Sequence, residues 1–210
     1  MNGHRDVDSR WTTSCQAFAD AADWFVATTA KVDGRWHEPG LGEWDVRSLV
    51  GHTSRALLTV ETYLGRPAAV VEVGSAAAYY GATRAAAAGP GVAERGRQAG
   101  EALGADPVAA VAAVAARVVP LVTACEGTEV ITTIAGGMRL ADYLPTRTFE
   151  LVVHTADLAA AIGVPAEVPP VPAARALELV AQLGVEGGVA GTLLRAATGR
   201  EVLPPGFSVL

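Results

Sequence analysis

The chain has 210 residues, of which 50% are apolar, and it carries a formal net charge of −6 at pH 7. Phosphate binding needs a basic surface, so an acidic balance without clusters of Lys and Arg argues against a nucleic-acid partner. The sequence contains no apolar run of about 18 residues, and its N-terminus lacks the order of a signal peptide. We therefore expect a cytoplasmic protein without a membrane segment.

Helical patterns dominate the first 125 residues. Apolar residues recur there at spacings of three and four, and Asp, Gly or Pro marks most of the boundaries. Asp45 is a candidate N-cap, as is Asp106, which precedes Pro107 at the first helical position, and Asp8 or Ser9 can cap the first helix. The predicted helices cover residues 9–32, then, after a loop at 33–44, residues 45–64, 75–88, 92–103 and 106–125, with a Gly-Pro-Gly break at 89–91.

The two cysteines, Cys15 and Cys125, each lie in an apolar stretch. Two cysteines are too few for a disulfide framework, so we expect reduced thiols in the core. A nucleophilic thiol is the less favoured alternative, because neither cysteine has a neighbouring base in the sequence.

The pattern changes after residue 128 to one typical of a small β-hairpin. A β-branched run at 130–134 is followed by Gly136 and Gly137, which are expected to form the turn, and then by a second short strand at 138–140. The first half of the chain shows no comparable pattern, so we expect a single hairpin.

Two further helices are predicted after the hairpin. The first carries Glu150 and His154 and ends at Gly163, since glycine is common directly after a helix. A Pro-rich connector leads to the second, over residues 173–198, which several glycines interrupt. The chain is thus expected to be mainly α, a helical bundle with one hairpin.

Glu150 and His154 are the most informative pair in the sequence. Residues four apart lie on one face of a helix, so both side chains can point at one centre. His52 lies close to the apolar stripe of the second helix and could supply a third group. Two histidines and one carboxylate with an open position form a ligand set used by catalytic zinc.

The spacing alone leaves two interpretations open. Glu150 and His154 can form an intrahelical ion pair, and His52 can be a core histidine. However, Leu151, Val152 and Val153 lie between the pair, and a buried ionised carboxylate needs a partner or a metal. The sequence therefore supports a metal site about as well as an ion pair.

Several other polar and aromatic residues are candidates for supporting roles. Asp157 is three residues after His154 and could orient its imidazole, or it could pair with an arginine. Arg147 could pair with Glu150 or reach a carboxylate of a ligand. The aromatic residues could wall a pocket, although such residues more often belong to a core; they are Trp36, Trp44, Tyr79 and Tyr80.

Three segments resemble the mycothiol-dependent maleylpyruvate isomerase family, which belongs to the broader DinB-like metalloenzyme group. They read WDVRSLVGH at residues 44–52, GMRLADYL at 137–144 and RTFELVVHTADL at 147–158. The last of these contains Glu150 and His154, and the first ends at His52. The similarity extends over about residues 9–165.

The resemblance implies a DinB-like four-helix bundle with zinc, or another divalent metal, held by His52, Glu150 and His154. It also implies the thiol cofactor mycothiol, whose sulfur would bind at the open metal position. A divalent metal stabilises a thiolate at neutral pH, and a thiolate is a nucleophile. Addition to an electron-poor C=C bond followed by loss of the thiol gives cis–trans isomerisation, whereas a retained adduct or a displaced leaving group gives an S-transferase.

The chain also departs from the characterised isomerases in ways that bear on its substrate. Those enzymes carry a larger C-terminal domain with basic residues at the substrate site, whereas only about 45 residues follow Gly163 here. Ala156 stands where many relatives have an aromatic residue. We therefore expect the substrate to be an unsaturated or electrophilic small molecule, with maleylpyruvate itself the less favoured candidate. The expected organisation is a metal-binding bundle at 1–165 with a short helical extension at 166–210.

Two other functions remain open from the sequence. One is a non-catalytic metal-binding or regulatory bundle, in which the metal is absent or fully coordinated by protein. The other is a metal-dependent hydrolase that needs no thiol.

Overall fold

The computed structural model describes the backbone of residues 3–87, 89 and 91–210, and the side chains of these residues except 3–8 and 85–87. This part of the chain contains eight helices and four short strands. In chain order they are α1 (Gly3–Thr29), β1 (Pro39–Leu41), β2 (Trp44–Asp45), α2 (Val46–Leu64), α3 (Ala76–Ala87), α4 (Gly91–Ala102), α5 (Pro107–Thr123), β3 (Val130–Thr133), β4 (Gly136–Arg139), α6 (Leu140–Ala161), α7 (Pro170–Glu186) and α8 (Ala190–Ala197).

Four of the helices form the bundle. α1 packs against α5 and α6, and α2 packs against the same two helices, so the four close into a ring in the order α1, α5, α2, α6. Their facing sides supply large, fully buried apolar side chains, among them Phe18, Phe25, Leu49, Leu57 and Leu151. The mainly α bundle expected from the sequence is confirmed.

The caps of two bundle helices follow directly from the sequence. The side chain of Asp45 accepts a hydrogen bond from the backbone N–H of Ser48 at 2.8 Å, and Asp106 accepts one from Ala109 at 3.0 Å. Each satisfies a backbone donor that the first turn of a helix leaves unpaired. Both N-caps are therefore confirmed, and Asp45 sets the start of the helix that carries His52.

The remaining helices pack on the outside of the ring. α3 lies against α6 and α7, α7 also lies against α1 and α6, and α8 lies against α7. The contact between α4 and α2 is so close that a Cβ built on Gly51 would lie 2.1 Å from the backbone nitrogen of Gly100. Gly51 directly precedes His52, so α4 is held against α2 by backbone contact beside that histidine.

The predicted hairpin is present, but its turn was predicted wrongly. Ile134 and Ala135 connect the strands, and Gly136 and Gly137 lie in β4, paired with Thr133 and Thr132. Glycine is required at position 137 because the segment between α2 and α3 passes directly over it. A Cβ on Gly137 would lie 2.0 Å from the carbonyl oxygen of Val70 in that segment. A second ribbon, β1 with β2, lies in the segment that was predicted as a loop.

Two helix boundaries also differ from the sequence-based predictions. α1 begins at Gly3, so Asp8 and Ser9 lie within the helix and neither caps it. The predicted last helix is two helices, α7 and α8, because Gly188 adopts a φ of +70° that ends the first of them. The predicted helix end at residue 88 and the break at residues 89–91 involve residues 88 and 90, which lie outside the described residues.

Within the described ranges, no single helix is long and apolar enough to cross a membrane. The bent pair α4 and α5, with an angle of 96° between them, meets that test only when the two helices are taken together.

Candidate metal centre

The bundle brings His52, Glu150 and His154 together. His52 is the seventh residue of α2, and the other two are the eleventh and fifteenth residues of α6, which packs directly against α2. One candidate ligand atom from each residue lies within 4.8 Å of the other two, and all three residues are half-buried. Helical spacing accounts for the α6 pair, and the packing of α2 on α6 adds the third residue.

Glu150 and His154 are in direct contact along α6. Oε2 of Glu150 lies 3.2 Å from Nε2 of His154, and their side chains are 20% and 16% exposed. Ligand atoms on a tetrahedral zinc ion, with bonds of about 2.0–2.2 Å, lie roughly 3.3 Å apart. The spacing of the pair therefore suits a shared metal, although it is equally that of an ion pair.

His52 is the member of the set that protein contacts leave incomplete. Its Nδ1 is buried and has no hydrogen-bond partner among the described residues. Its ring stacks on Trp44 at 4.4 Å between centroids and meets the edge of His154 at 4.8 Å. Burial, followed by the charge of His154, lowers the pKa of His52 to about 4. The imidazole is thus neutral at pH 7, the form that binds metals.

The charges of the α6 pair are set by their neighbours. Burial alone would raise the pKa of Glu150, but the hydrogen bond from His154 and the charge of Arg147 outweigh it and lower the pKa to about 2. Burial alone would lower the pKa of His154, but its bonds to Asp157 and Glu150 raise it to about 9. A metal would therefore have to displace a proton from His154.

Two further side chains orient Glu150 and His154 through hydrogen bonds. Oδ2 of Asp157 lies 3.1 Å from Nδ1 of His154, which is the orienting contact considered from the sequence. The hydroxyl of Tyr80 donates to Oε1 of Glu150 at 2.7 Å and leaves Oε2 to His154. The sequence indicated Tyr80 only as a possible pocket wall; the sole signal was two bulky aromatics, Tyr79 and Tyr80, in an otherwise Ala-rich helix.

Arg147 lies one turn before Glu150 but makes no ion pair with it. Its Nε donates to Oγ1 of Thr146 at 2.9 Å, and its guanidinium carbon lies 5.5 Å from the ring centre of Tyr79 and 5.1 Å from that of Tyr143. Of the two roles considered from the sequence, direct pairing with Glu150 is wrong.

Neither cysteine belongs to the candidate ligand set, and a described groove is lined by other residues. Cys15 and Cys125 are free thiols, as expected, and burial raises the pKa of Cys15 to about 11, which argues against a thiolate nucleophile at neutral pH. A groove of about 530 Å³ lies between α1, α6 and α7, with Trp11, Asp142 and Leu179 among its walls. None of the three candidate ligands lines it.

Comparison with known proteins agrees with the resemblance seen in the sequence. The model of the family described as mycothiol maleylpyruvate isomerase N-terminal domain matches residues 15–159, a range that includes all three candidate ligands and both of their supporting residues. No curated protein and no solved structure matches the chain. The match covers well over half of the 210 residues, so the chain belongs to the mycothiol maleylpyruvate isomerase N-terminal domain family.

Proposed function

We propose that the chain is a mycothiol-dependent metalloenzyme that holds zinc, or another divalent metal, with His52, Glu150 and His154. Its substrate is an unsaturated or electrophilic small molecule, and its reaction is cis–trans isomerisation or thiol S-transfer. The observation that carries the proposal is the convergence of three ligand-type side chains from two helices, within 4.8 Å of one another in a half-buried site.

The chemistry of the donor set favours zinc. Two imidazole nitrogens and one carboxylate oxygen suit zinc, and three protein ligands leave a position open for a small molecule. The unpartnered, buried Nδ1 of His52 supports the proposal further, because buried polar atoms normally have a partner.

The surrounding residues have roles that fit this function. Asp157 orients the ring of His154, and Tyr80 occupies one oxygen of Glu150 so that the other faces His154. Trp44 and Phe149, both buried, cover His52 and Tyr80 with apolar surface. When bound, the metal would keep the cofactor thiol ionised at neutral pH, and the thiol would supply the nucleophile.

Metal analysis tests the first half of the proposal. Protein purified without chelators is expected to contain about one divalent metal ion per chain, and His154→Ala is expected to lose it. His37→Ala is the matched control, since its side chain is 84% exposed and its ring contacts Asp45. Absence of stoichiometric metal, or the same metal content after His154→Ala, would overturn the assignment.

Turnover assays test the second half. Metal-loaded protein is incubated with cis-enedioates, epoxides and alkyl halides, with and without mycothiol. Thiol-dependent turnover supports the proposal, and the product identifies isomerase or transferase. Turnover without thiol would instead indicate a hydrolase. A bound metal that is fully coordinated by protein, in a protein that shows no turnover, would indicate a binding module.

We further propose that residues 1–165 form the metal-binding unit and residues 166–210 an extension packed on it. α7 lies against α1 and α6 and so covers part of the bundle surface.

A further inference from the structure

Trp44 packs its indole on the imidazole of His52. The ring centroids lie 4.4 Å apart and the ring planes meet at 33°, so the two rings are stacked with a tilt. Trp44 is only 9% exposed, and it belongs to the short strand β2, where it pairs with Leu41 of β1. The indole therefore reaches His52 from an element outside α2, the helix that carries the histidine.

The ring of His52 is not held by a hydrogen bond to any described residue. His154 differs in this respect, because its Nδ1 lies 3.1 Å from Oδ2 of Asp157. An imidazole that binds a metal is normally oriented by a hydrogen bond of this kind through its second nitrogen. His52 lacks that bond, so packing has to orient its ring, and the rings that contact it are those of Trp44 and His154.

The indole of Trp44 is in turn fixed by α4. Its N–H donates to the carbonyl oxygen of Ala93 at 2.9 Å, which satisfies the polar atom of a buried indole. A Cβ built on Gly96 would lie 2.4 Å from both Cε2 and Nε1 of the indole, so the backbone of α4 lies directly against the ring. The indole thus contacts α4 and His52 at once, and it cannot shift without disturbing the contact with α4.

We propose that Trp44 is a positioning residue for the candidate metal centre. Its indole, anchored on α4, orients the imidazole of His52 in place of the hydrogen bond that Asp157 makes to His154. The inference rests on the proposed function and adds to it a residue that acts through His52. An imidazole that is already fixed in its binding orientation loses less rotamer freedom when it binds a metal, so the affinity for the metal is higher.

The zinc affinity of Trp44 variants, measured by chelator competition, tests the proposal. Trp44→Leu removes the aromatic face and is expected to lower the affinity about tenfold or more, the usual effect of losing a group that orients a metal ligand. Trp44→Phe keeps an aromatic face and is expected to retain part of the affinity, although it loses the bond to Ala93.

Gly96→Ala tests the link to α4 with every candidate ligand and Trp44 itself unchanged. The added methyl group has to displace the indole, so zinc affinity is expected to fall in this variant as well. Alanine favours a helix over glycine, so weakening of α4 would not explain that result. Urea unfolding of each metal-free variant shows that the protein is folded.

Trp11→Leu serves as the control, because Trp11 is anchored in the same way at another place. Its N–H donates to the carbonyl oxygen of Cys125 at 2.8 Å, and a Cβ on Gly127 would lie 2.7 Å from its ring. It lines a groove whose walls include none of the three candidate ligands. Trp11→Leu is expected to lower the free energy of unfolding and to leave zinc affinity unchanged.

NMR spectra of the metal-free protein give a readout that does not depend on zinc. The ring protons of His52, assigned by their loss in His52→Ala, are expected to be shifted by the ring current of Trp44. In Trp44→Leu their chemical shifts should move toward those of an exposed histidine, and in Trp11→Leu they should stay as in wild type. Unshifted ring protons in wild type would overturn the inference.

The affinities separate this inference from the proposed function. If wild type binds zinc and Trp44→Leu binds it equally well, or if Trp44→Leu and Trp11→Leu lose the same affinity, Trp44 has no positioning role and the metal centre stands. If wild type binds no zinc, both the proposed function and the role of Trp44 are overturned.

Discussion

Tyr80 reaches from α3 across to α6 and donates a hydrogen bond of 2.7 Å to Oε1 of Glu150. α3 is not one of the four bundle helices, so this bond ties the candidate centre to an element packed outside the ring. Burial, followed by the charge of Glu150, raises the pKa of Tyr80 well above its ordinary value, which favours the protonated hydroxyl that donates this bond. The bond restricts the rotation of the carboxylate and leaves Oε2 toward His154.

Removal of this bond is expected to weaken metal binding. Tyr80→Phe should lower zinc affinity by about 10–100-fold, the usual effect of losing a group that orients a metal ligand. Chelator competition with a fluorescent indicator measures it. Tyr143→Phe is the matched control, since its buried hydroxyl bonds to Thr59 rather than to a candidate ligand. An equal loss of affinity in both variants would show that the hydroxyl of Tyr80 has no particular role.

His52→Ala is expected to reduce zinc affinity by two orders of magnitude or more, because one of only three protein ligands is lost. The variant also removes a ring that packs on Trp44, so a modest fall in melting temperature should accompany it. Unfolding of the metal-free protein separates the two effects. If wild type and His52→Ala bind zinc equally well, His52 is a core histidine and not a metal ligand.

The close crossing of α2 and α4 makes a stability prediction. Gly51→Ala places a Cβ against the backbone of Gly100, which cannot move aside as a side chain can, so we expect a loss of at least 1–3 kcal/mol, on the order seen for overpacked cores. Urea unfolding measures it. Gly81→Ala in α3 is the counterpart: a Cβ there meets no atom within 4 Å, and alanine should stabilise the helix by about 0.5–1 kcal/mol. Similar effects of the two substitutions would contradict the structure.

The thiol of Cys15 gives a pH prediction. Burial, aided by the nearby charges of Cys125 and Glu129, raises its pKa from 9.0 to about 11. Alkylation by iodoacetamide in the folded state should therefore be slow at pH 8 and rise about tenfold per pH unit up to roughly pH 10. The folded state holds the thiol proton more tightly than the unfolded state does. The contribution of this raised pKa to the free energy of unfolding is therefore complete below pH 9 and is lost as pH rises through 11. Rapid alkylation of folded protein at pH 7 would contradict the burial of this thiol.

The parts of the site that lie within one helix were predictable from sequence. Helical spacing alone places Glu150 and His154 on one face and puts Asp157 within reach of the histidine ring. His52 depends on the packing of α2 on α6. Its place near the apolar stripe of α2 made it a candidate, and the resemblance to the family, which the family match confirms, favoured it as the third ligand. The spacing could not separate a metal site from an ion pair, because both need the same two atoms about 3 Å apart.

The parts that depend on contacts between distant segments were not predictable. Tyr80 contacts Glu150 only because α3 packs on α6, and no local sequence pattern indicates how these two helices pack. Gly136 and Gly137 were predicted to form a turn. The local sequence does not indicate that the segment between α2 and α3 passes over Gly137. The N-caps at Asp45 and Asp106 were predicted correctly because the side chain of a cap residue accepts its hydrogen bond from the first turn of the same helix.

The backbone contact between Gly51 and Gly100 makes the crossing of α2 and α4 beside the candidate centre intolerant of added side-chain volume. On the α4 side there is no room for even one added methyl group, and Trp44 fills the space over Gly96. On the α3 side Gly81 has open space around it. A side chain added at Gly100 would therefore press on the backbone of α2 at Arg47 and Ser48, about one turn before His52, whereas one added at Gly81, which is exposed, would extend into solvent and leave the centre unchanged.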